Sequence, residues 1–257
     1  MILDLSQFYI LLSVMAIMAV IVFVSLYFVE AGYGKSISRK WGPSINNKVA
    51  WICMECPVFL VLLYFWLFSD RQWDIAPLLF LLLFQLHYFQ RSFIFPFLLK
   101  GKSKMPLSIM AMGMVFNTIN GYMQGEWIFY LAPENMYTAA WLTTPQFIIG
   151  VMLFFAGMII NLHSDYVIRN LRKPGDTNHY LPKKGMYKYV TSANYFGEIV
   201  EWVGFAVLTW SLSGAMFAIW SMANLVPRSN SIYKRYRAEF ADEFRHLSLK
   251  RVFPFIY

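Results

Sequence analysis

Long apolar stretches, several of them about 20 residues or more, constrain this chain more than any other feature. A helix needs about 20 mostly apolar residues to cross the hydrocarbon core of a bilayer. With 58% hydrophobic and 14% charged residues and a mean hydropathy of +0.48, the chain is too apolar for an ordinary soluble domain. We therefore predict an all-α, multi-pass membrane protein with a single integral-membrane domain over residues 1–257 and seven transmembrane helices. The predicted spans are Phe8–Val29, Ala50–Phe68, Ile75–Leu99, Pro106–Gln124, Pro145–Asn161, Asn194–Trp210 and Gly214–Val226.

The basic residues fall on one side of this layout. Of the 22 Lys and Arg residues, 20 lie in the loops after spans one, three and five or in the tail after span seven. The positive-inside rule then predicts an N-terminus outside and a C-terminus in the cytosol. The basic loops are explained first by topology and by attraction to anionic lipid headgroups, and alternatively by a cytosol-facing site for a phosphorylated ligand. No basic–aromatic RNA motif occurs, so we expect no nucleic-acid partner.

Ionisable side chains inside the spans are costly in a bilayer and are therefore candidates for function. They are Glu55, His87, Arg91, Glu198 and Glu201, with Asn161, His163 and Asp165 at the end of span five. At about 1.5 Å per residue, the three glutamates lie roughly 6–11 Å in from the cytosolic face, and Tyr88 shares that half of the bilayer. The layer predicts a polar cavity with a cytosolic mouth. The alternative is a set of buried pairs that join helices, such as Arg91 with a glutamate.

Helical spacing refines this interpretation. Three pairs of polar residues stand four positions apart and so share a helix face: His87 with Arg91, Asn161 with Asp165, and Asn194 with Glu198. We interpret His163 as a buried hydrogen-bond partner more readily than as a catalyst.

Several familiar motifs are incomplete. "GYGKS", from Gly32, lacks the first glycine of a phosphate-binding loop, because that position is Val29. No Gly-x-Gly-x-x-Gly occurs, which leaves a Rossmann nucleotide site unsupported. The four histidines show no paired spacing, so we expect no metal site. Cys53 and Cys56 lie on an apolar span, where packing explains them better than redox chemistry.

Other stretches are distinctive. They are "AGYGK", "ECP", "LHYFQRSF", "NGYMQG", "INLHSDYVIRNLRKPG", "YKYVTSANYFGEIVEWVGFA" and the C-terminal "PFIY". Together, in order over essentially the whole chain, they resemble the steroid 5α-reductase (3-oxo-5α-steroid 4-dehydrogenase) family. The resemblance implies a seven-helix membrane fold and an NADPH-dependent reduction of a conjugated 3-oxo-Δ4 steroid. A bacterial member is compatible with it, so the bacterial cytoplasmic membrane and the endoplasmic reticulum membrane both stay open.

The resemblance also implies roles for single residues. Glu55 and Tyr88 match the catalytic pair that contacts the steroid carbonyl. The substrate pocket would include Tyr33, Trp51, Met54 and Phe116, although the family often has glutamine where Met54 stands. The NADPH contacts would be Arg91, Lys102, Asn161, Asp165, Arg172, Asn194, Glu198, Trp202, Arg228 and Tyr236. A tail that is commonly rich in histidine has Ser231 and Ile232 here, which weakens that part of the match.

The chemistry of an enone gives these residues a mechanism. A hydride adds at the β-carbon only if the carbonyl oxygen can take up the developing negative charge, which two hydrogen-bond donors would stabilise. We expect the Tyr88 hydroxyl and a protonated Glu55 to be these donors; the alternative for Glu55 is a helix–helix hydrogen bond. No side chain supplies a hydride, so a cofactor must. NADPH suits a basic rim, since arginine binds phosphate with two hydrogen bonds, and Arg172 and Arg228 are the candidates.

Three other functions remain alternatives. They are a related membrane reductase of another sterol or enoyl lipid, an isoprenylcysteine-type methyltransferase, and a seven-span transporter or receptor. The transporter is less favoured, because the polar groups cluster on the cytosolic side and no internal repeat is seen. We expect a steroid or steroid-like lipid as substrate, membrane lipids as surroundings, and a monomer.

Overall fold

The computed structural model describes residues 3–29, 41–101, 103–173, 176 and 178–257. These residues form nine α-helices and one two-stranded antiparallel sheet. The helices are α1 (Leu5–Phe28), α2 (Asn47–Leu67), α3 (Ile75–Phe89), α4 (Phe95–Leu98), α5 (Leu107–Glu126), α6 (Pro145–Arg169), α7 (Ala193–Thr209), α8 (Leu212–Glu239) and α9 (Ala241–Arg245). Strand β1 (Ser44–Asn46) pairs with β2 (Lys104–Pro106), which joins the starts of α2 and α5. The mostly helical fold was predicted.

Among the described residues, four helical segments are long and apolar enough to cross a membrane by length and composition. They are Leu5–Phe28, Asn47–Leu67, Ile75–Leu98 and Pro145–Arg169, which correspond to predicted spans one, two, three and five. Predicted spans four, six and seven coincide with α5, α7 and α8. The four apolar helices indicate a membrane protein, whereas the full count of seven spans and the orientation of the termini stay predictions.

Two helices end well beyond the predicted spans. Helix α6 continues to Arg169, past the predicted end at Asn161, and α8 continues to Glu239, past Val226. Hydropathy marks only the apolar part of a helix, and these two continue with polar sequence. Predicted span three is interrupted differently, since Gln90–Ile94 forms a π-helical turn between α3 and α4.

Helices α6 and α7 pack backbone against backbone at glycines. A Cβ atom at Gly157 would lie 2.2 Å from the backbone nitrogen of Glu201, and one at Gly197 would lie 2.4 Å from that of Asn161. Gly150 and Gly204 make equivalent approaches one level further along the pair. Small residues are the usual means of bringing membrane helices this close. The consequence is that Asn161 meets α7 directly.

Helices α2 and α5 use a second row of glycines. A Cβ atom at Gly121 would lie 3.0 Å from the carbonyl oxygen of Val58, and one at Gly125 would lie 2.5 Å from the Phe65 ring. Asn117 lies on the same face of α5, four residues before Gly121. This packing seats Asn117 against the turn of α2 that carries Glu55.

An aromatic core joins α3, α7 and α8. Trp202 is 1% exposed, and its ring centroid lies 4.3 Å from that of Phe217 and 5.4 Å from that of Phe84. The C-terminal segment adds a contact at the periphery, where the hydroxyl groups of Tyr27 and Tyr257 lie 3.0 Å apart. Large rings at these positions make the interior of the bundle well packed around the polar layer.

The glycine contact between α6 and α7 is directly testable. Gly157→Ala should destabilise the protein by about 1–3 kcal/mol, because the new methyl group would overlap backbone of α7. Gly113→Ala is the matched control, since a Cβ atom there would meet only the flexible side chain of Met54. Both gain about 1 kcal/mol of helix propensity, so Gly113→Ala should be near neutral. Thermal unfolding in detergent measures both, and equal effects would contradict the close approach.

Candidate active site

The two predicted catalytic side chains both bond to helix α5. Glu55 and Tyr88 are buried on α2 and α3. The Asn117 amide Nδ2 donates to Glu55 Oε2 at 3.1 Å, and the Asn120 amide Nδ2 donates to the Tyr88 hydroxyl oxygen at 3.3 Å. Asn117 and Asn120 are three residues apart, on one face of α5. The structure therefore brings Glu55 and Tyr88 to neighbouring positions along a single helix.

Arg91 is the centre of a second polar group. Its side chain, 11% exposed, extends from the π-helical turn after α3. Nη1 lies 3.3 Å from Asp165 Oδ2, and Nη2 lies 3.3 Å from Glu198 Oε2. Its Cζ atom lies 5.0 Å from the Trp51 ring centroid and 4.6 Å from that of Phe95. The cation is thus matched by two carboxylates and by two aromatic faces.

Two asparagines complete this Arg91 network, which consists of Arg91, Asn161, Asp165, Asn194 and Glu198. The Asn161 amide donates to the backbone oxygen of Asn194 at 3.0 Å and approaches Glu198 Oε2 at 3.5 Å. The Asn194 amide donates to Asp165 Oδ1 at 3.2 Å. All five residues were predicted as cofactor contacts, and the pairs spaced by four residues do share helix faces. The structure brings them together from α6, α7 and the π-helical turn.

A buried pair lies beside the network. His87 Nδ1 is 2.8 Å from Glu201 Oε1, and the His87 ring centroid lies 4.5 Å from that of Trp202 and 5.1 Å from that of Tyr88. His87 and Arg91 lie one turn apart, and they pair with Glu201 and Glu198, which lie one turn apart on α7. This includes the pairing of Arg91 with a glutamate that the packing alternative predicted, so the same contacts join helices and form a polar layer.

Comparison with known proteins identifies the family. The family model described as 3-oxo-5-alpha-steroid 4-dehydrogenase matches residues 103–257. The chain is 38% identical over 229 residues to 3-oxo-5-alpha-steroid 4-dehydrogenase 1 of Macaca fascicularis, covering 88% of this chain and 84% of that protein. It is 37% identical over 262 residues to steroid 5-alpha-reductase DET2 of Gossypium hirsutum, covering 99% of each. The chain belongs to the 3-oxo-5-alpha-steroid 4-dehydrogenase family. It is therefore a member of an oxidoreductase family, as the sequence motifs predicted.

The predicted substrate contacts of this family member that the structure describes have different neighbours. Trp51 packs edge-on against Phe95, with ring centroids 5.2 Å apart, beside Arg91. Phe116 stacks on Trp220 at 4.5 Å, nearly parallel, and the Met54 side chain covers Gly113. Tyr33 and Lys102 lie outside the described residues. Trp202 lies in the aromatic core, in contact with the rings of Tyr88 and His87.

Three predicted cofactor residues have other surroundings. Arg228 is partly buried on α8, where Nη1 donates to Asn224 Oδ1 at 3.0 Å and the guanidinium lies 5.5 Å from the Tyr195 ring centroid. Arg172 is exposed just beyond α6. Tyr236 packs with Phe244 and other apolar residues near α9. These three residues lie outside the Arg91 network, in the polar parts of the chain at and beyond α6 and α8, and their role in cofactor binding stays a prediction.

The prediction that His163 is buried was wrong. His163 is exposed, and its ring packs against Gly185, where a Cβ atom would lie 2.4 Å from His163 Cε1. At about 100° per residue, a side chain two positions after Asn161 points to nearly the opposite face of the helix. Because Asn161 faces α7, His163 faces outward.

Three polar residues of α5 were missed as site residues. Asn117, Asn120 and Gln124 are all buried, and Gln124 Nε2 donates to Asn120 Oδ1 at 3.3 Å and to the backbone oxygen of Ser213 at 3.0 Å. Ionisable residues mark membrane depth most clearly, because burying a charge in the bilayer costs more than burying an amide. The spacing of three and four residues between these amides would have marked the same face of α5.

Metal chemistry finds no support in the described part of the chain, where no group of three or more His, Cys, Asp or Glu residues is placed to bind an ion. Cys53 and Cys56 are free thiols there, partly buried on α2.

Removing the Arg91 cation should destabilise the protein strongly. Arg91→Met would leave two buried carboxylates without their partner, a change that typically costs about 3–5 kcal/mol. Adding Glu198→Gln to Arg91→Met should restore part of the loss, because one of those charges is gone. Lys173→Met, at an exposed position, is the control. Chemical unfolding in detergent measures the series, and an Arg91→Met effect no larger than the control would contradict the network.

Proposed function

We propose that this protein reduces the Δ4 double bond of 3-oxo-Δ4-steroids to 5α-steroids, using NADPH, with Glu55 and Tyr88 polarising the 3-keto group. The observation that carries the proposal is the pair of buried oxygen acids, Glu55 and Tyr88, bonded to amides one turn apart on α5. Relatives named steroid 5-alpha-reductase and 3-oxo-5-alpha-steroid 4-dehydrogenase support the substrate class. Family membership argues against the transporter and methyltransferase alternatives.

The role of Glu55 and Tyr88 follows from where charge develops. As hydride adds to C5 of the enone, the π electrons move through C4 and C3 onto the carbonyl oxygen. The product of this step is an enolate, with negative charge on that oxygen. Two preorganised donors at that oxygen lower the barrier because they need no reorganisation as the charge appears. The Tyr88 hydroxyl and the neutral carboxyl group of Glu55 supply them. A proton then adds at C4, which gives the saturated ketone.

The residues of the Arg91 network fit a nicotinamide dinucleotide. Asp165 and Glu198 can accept hydrogen bonds from ribose hydroxyls or a carboxamide, and the asparagine side chains can both donate and accept. In the described part of the chain, the buried hydroxyls of Ser92 and Ser164 have no hydrogen-bond partner, and each is adjacent in sequence to a member of the network. A polar ligand would satisfy such groups, whose burial is otherwise costly. When bound, NADPH would supply the hydride.

Arginines would distinguish NADPH from NADH. A 2′-phosphate is bound best by a planar guanidinium that can form two hydrogen bonds, and Arg172 and Arg228 lie at the polar ends of the helices that flank the network. In the predicted orientation these ends face the cytosol, where the cofactor is available. The steroid would enter from the bilayer, toward the aromatic residues Trp51 and Phe116.

The catalytic pair is tested by two conservative substitutions. Glu55→Gln and Tyr88→Phe should each lower turnover by about 100-fold or more, as the loss of a donor to a developing oxyanion does elsewhere. Tyr64→Phe is the matched control, because Tyr64 is exposed on α2. NADPH oxidation with a Δ4-3-ketosteroid, and mass-spectrometric detection of the 5α product, measure the effect. Near-normal turnover in both variants, with folding intact, would exclude these residues as the donors.

The same assay also tests the substrate class. The proposal predicts that wild-type protein converts Δ4-3-ketosteroids in preference to sterols with isolated double bonds and to enoyl lipids. If the protein reduced only another class of lipid, it would still be an oxidoreductase of this family, but the proposed steroid substrate would be wrong.

Cofactor choice is tested at the two arginines. Arg172→Ala and Arg228→Ala should raise KM for NADPH by about tenfold or more, equivalent to about 1.4 kcal/mol of binding free energy. KM for NADH should change little, because NADH has no 2′-phosphate. Arg169→Ala is the control on the last turn of α6. Equal changes in KM for NADPH and for NADH would show that neither arginine binds the 2′-phosphate.

A further inference from the structure

We infer that the amides of α5 are positioning residues: Gln124 fixes the orientation of the Asn120 side chain, and Asn120 in turn directs the Tyr88 hydroxyl proton toward the substrate carbonyl. The inference rests on the proposed function, because it gives Tyr88 the role of donor. It assigns a task to Asn120 and Gln124, which that mechanism leaves without one.

The argument starts at a backbone carbonyl. Ser213 lies in the first turn of α8, and its carbonyl oxygen can only accept a hydrogen bond. The side-chain atom of Gln124 that lies 3.0 Å from it must therefore be the amide nitrogen, Nε2. That nitrogen also lies 3.3 Å from the Asn120 side chain. Because Nε2 donates there too, the Asn120 atom that faces it must be the oxygen, Oδ1.

The orientation of Asn120 determines what Tyr88 can do. With Oδ1 facing Gln124, the Asn120 nitrogen Nδ2 faces the Tyr88 oxygen at 3.3 Å and donates to it. A phenol proton lies near the plane of its ring, on one of two sides of the oxygen. One side is occupied by the Asn120 donor, so the proton is directed to the other. Tyr88 therefore enters the reaction as a hydrogen-bond donor with its direction already set.

The same logic recurs at Glu55. The Met54 carbonyl oxygen accepts from Asn117 Nδ2 at 2.7 Å, which fixes the orientation of that amide. The same nitrogen donates to Glu55 Oε2 at 3.1 Å. The carbonyl oxygen of a neutral carboxyl group is its better acceptor, so this bond favours Oε2 as the carbonyl oxygen and Oε1 as the oxygen that carries the proton. Glu55 is thus oriented by an amide that bonds directly to a backbone carbonyl, and Tyr88 by an amide that Gln124 links to a backbone carbonyl.

An alternative role for these amides is purely structural, joining α5 to α2, α3 and α8. The two roles differ in how the effects of substitutions combine. If Gln124 acts through Asn120, then Gln124→Leu should have no further effect once Asn120 is replaced. If Asn120 acts through Tyr88, then Asn120→Leu should have no further effect once Tyr88 is replaced. Independent structural contacts would instead give additive losses.

The experiment measures steroid reduction and unfolding for Asn120→Leu, Gln124→Leu and their double variant, each with and without Tyr88→Phe. In the wild-type background, Asn120→Leu should lower kcat by about tenfold, the size expected for one directing hydrogen bond, with KM for the steroid nearly unchanged. The Asn120→Leu and Gln124→Leu double variant should match Asn120→Leu alone. In the Tyr88→Phe background, neither substitution should lower the residual rate further.

The control is Thr118→Val, on the same helix. Thr118 is exposed, and its hydroxyl donates within α5, to the Met114 backbone oxygen at 2.8 Å. The kcat of the Thr118→Val variant should therefore equal that of the wild type. Additive losses in the Tyr88→Phe background, or a loss confined to unfolding free energy with kcat intact, would overturn the inference. If Asn120→Leu does not fold, Gln124→Leu alone in the two backgrounds gives the same test.

The outcomes separate the inference from the proposed function. High turnover in Tyr88→Phe itself would overturn the donor role of Tyr88, and with it the inference. Low turnover in Tyr88→Phe together with wild-type kcat in both amide variants would overturn the inference alone.

Discussion

The polar layer of this protein depends on the glycine contact between α6 and α7. A helix pair with larger residues at Gly157 and Gly197 would be held further apart, and the amide of Asn161 could not reach the backbone oxygen of Asn194. The same contact brings Asp165 and Glu198 close enough to share one guanidinium. Backbone packing of apolar helices therefore comes first, and the charged network follows from it.

The glycine row on α5 plays the corresponding part for Glu55 and Tyr88, the proposed catalytic pair. It brings α5 onto α2, so that Asn117 reaches both the backbone of Met54 and the carboxyl group of Glu55. A turn later, Asn120 reaches Tyr88 on a different helix. One face of α5 thus relates two residues that lie 33 positions apart in the sequence. In both cases, glycines allow two helices to approach closely, and a nearby asparagine amide forms a hydrogen bond from one helix to the other.

Sequence reasoning located the helices and the polar layer, because apolar length and charge placement depend on the bilayer and not on tertiary detail. It also identified Arg91, Asn161, Asp165, Asn194 and Glu198, which the structure joins in one network. It did not predict the contact of His87 with Glu201, because these residues lie on different helices and no spacing within one helix predicts it. The π-helical turn that carries Arg91 was equally hidden, since nothing in its sequence, Gln90–Ile94, distinguishes it from a continuation of the α-helix.

Ion pairs that join helices and residues that bind a ligand are commonly treated as rival explanations of a buried charge, but in this layer they are compatible. An arginine has five N–H donors, and the two contacts of Arg91 with carboxylates, at 3.3 Å each, are at the long end for charged hydrogen bonds. Asp165 and Glu198 each have two oxygens with more than one acceptor position. A ligand with hydroxyl and phosphate groups could therefore bind by adding contacts, without first breaking those that keep α6 and α7 aligned. Such a site would be preorganised by the same interactions that stabilise the fold.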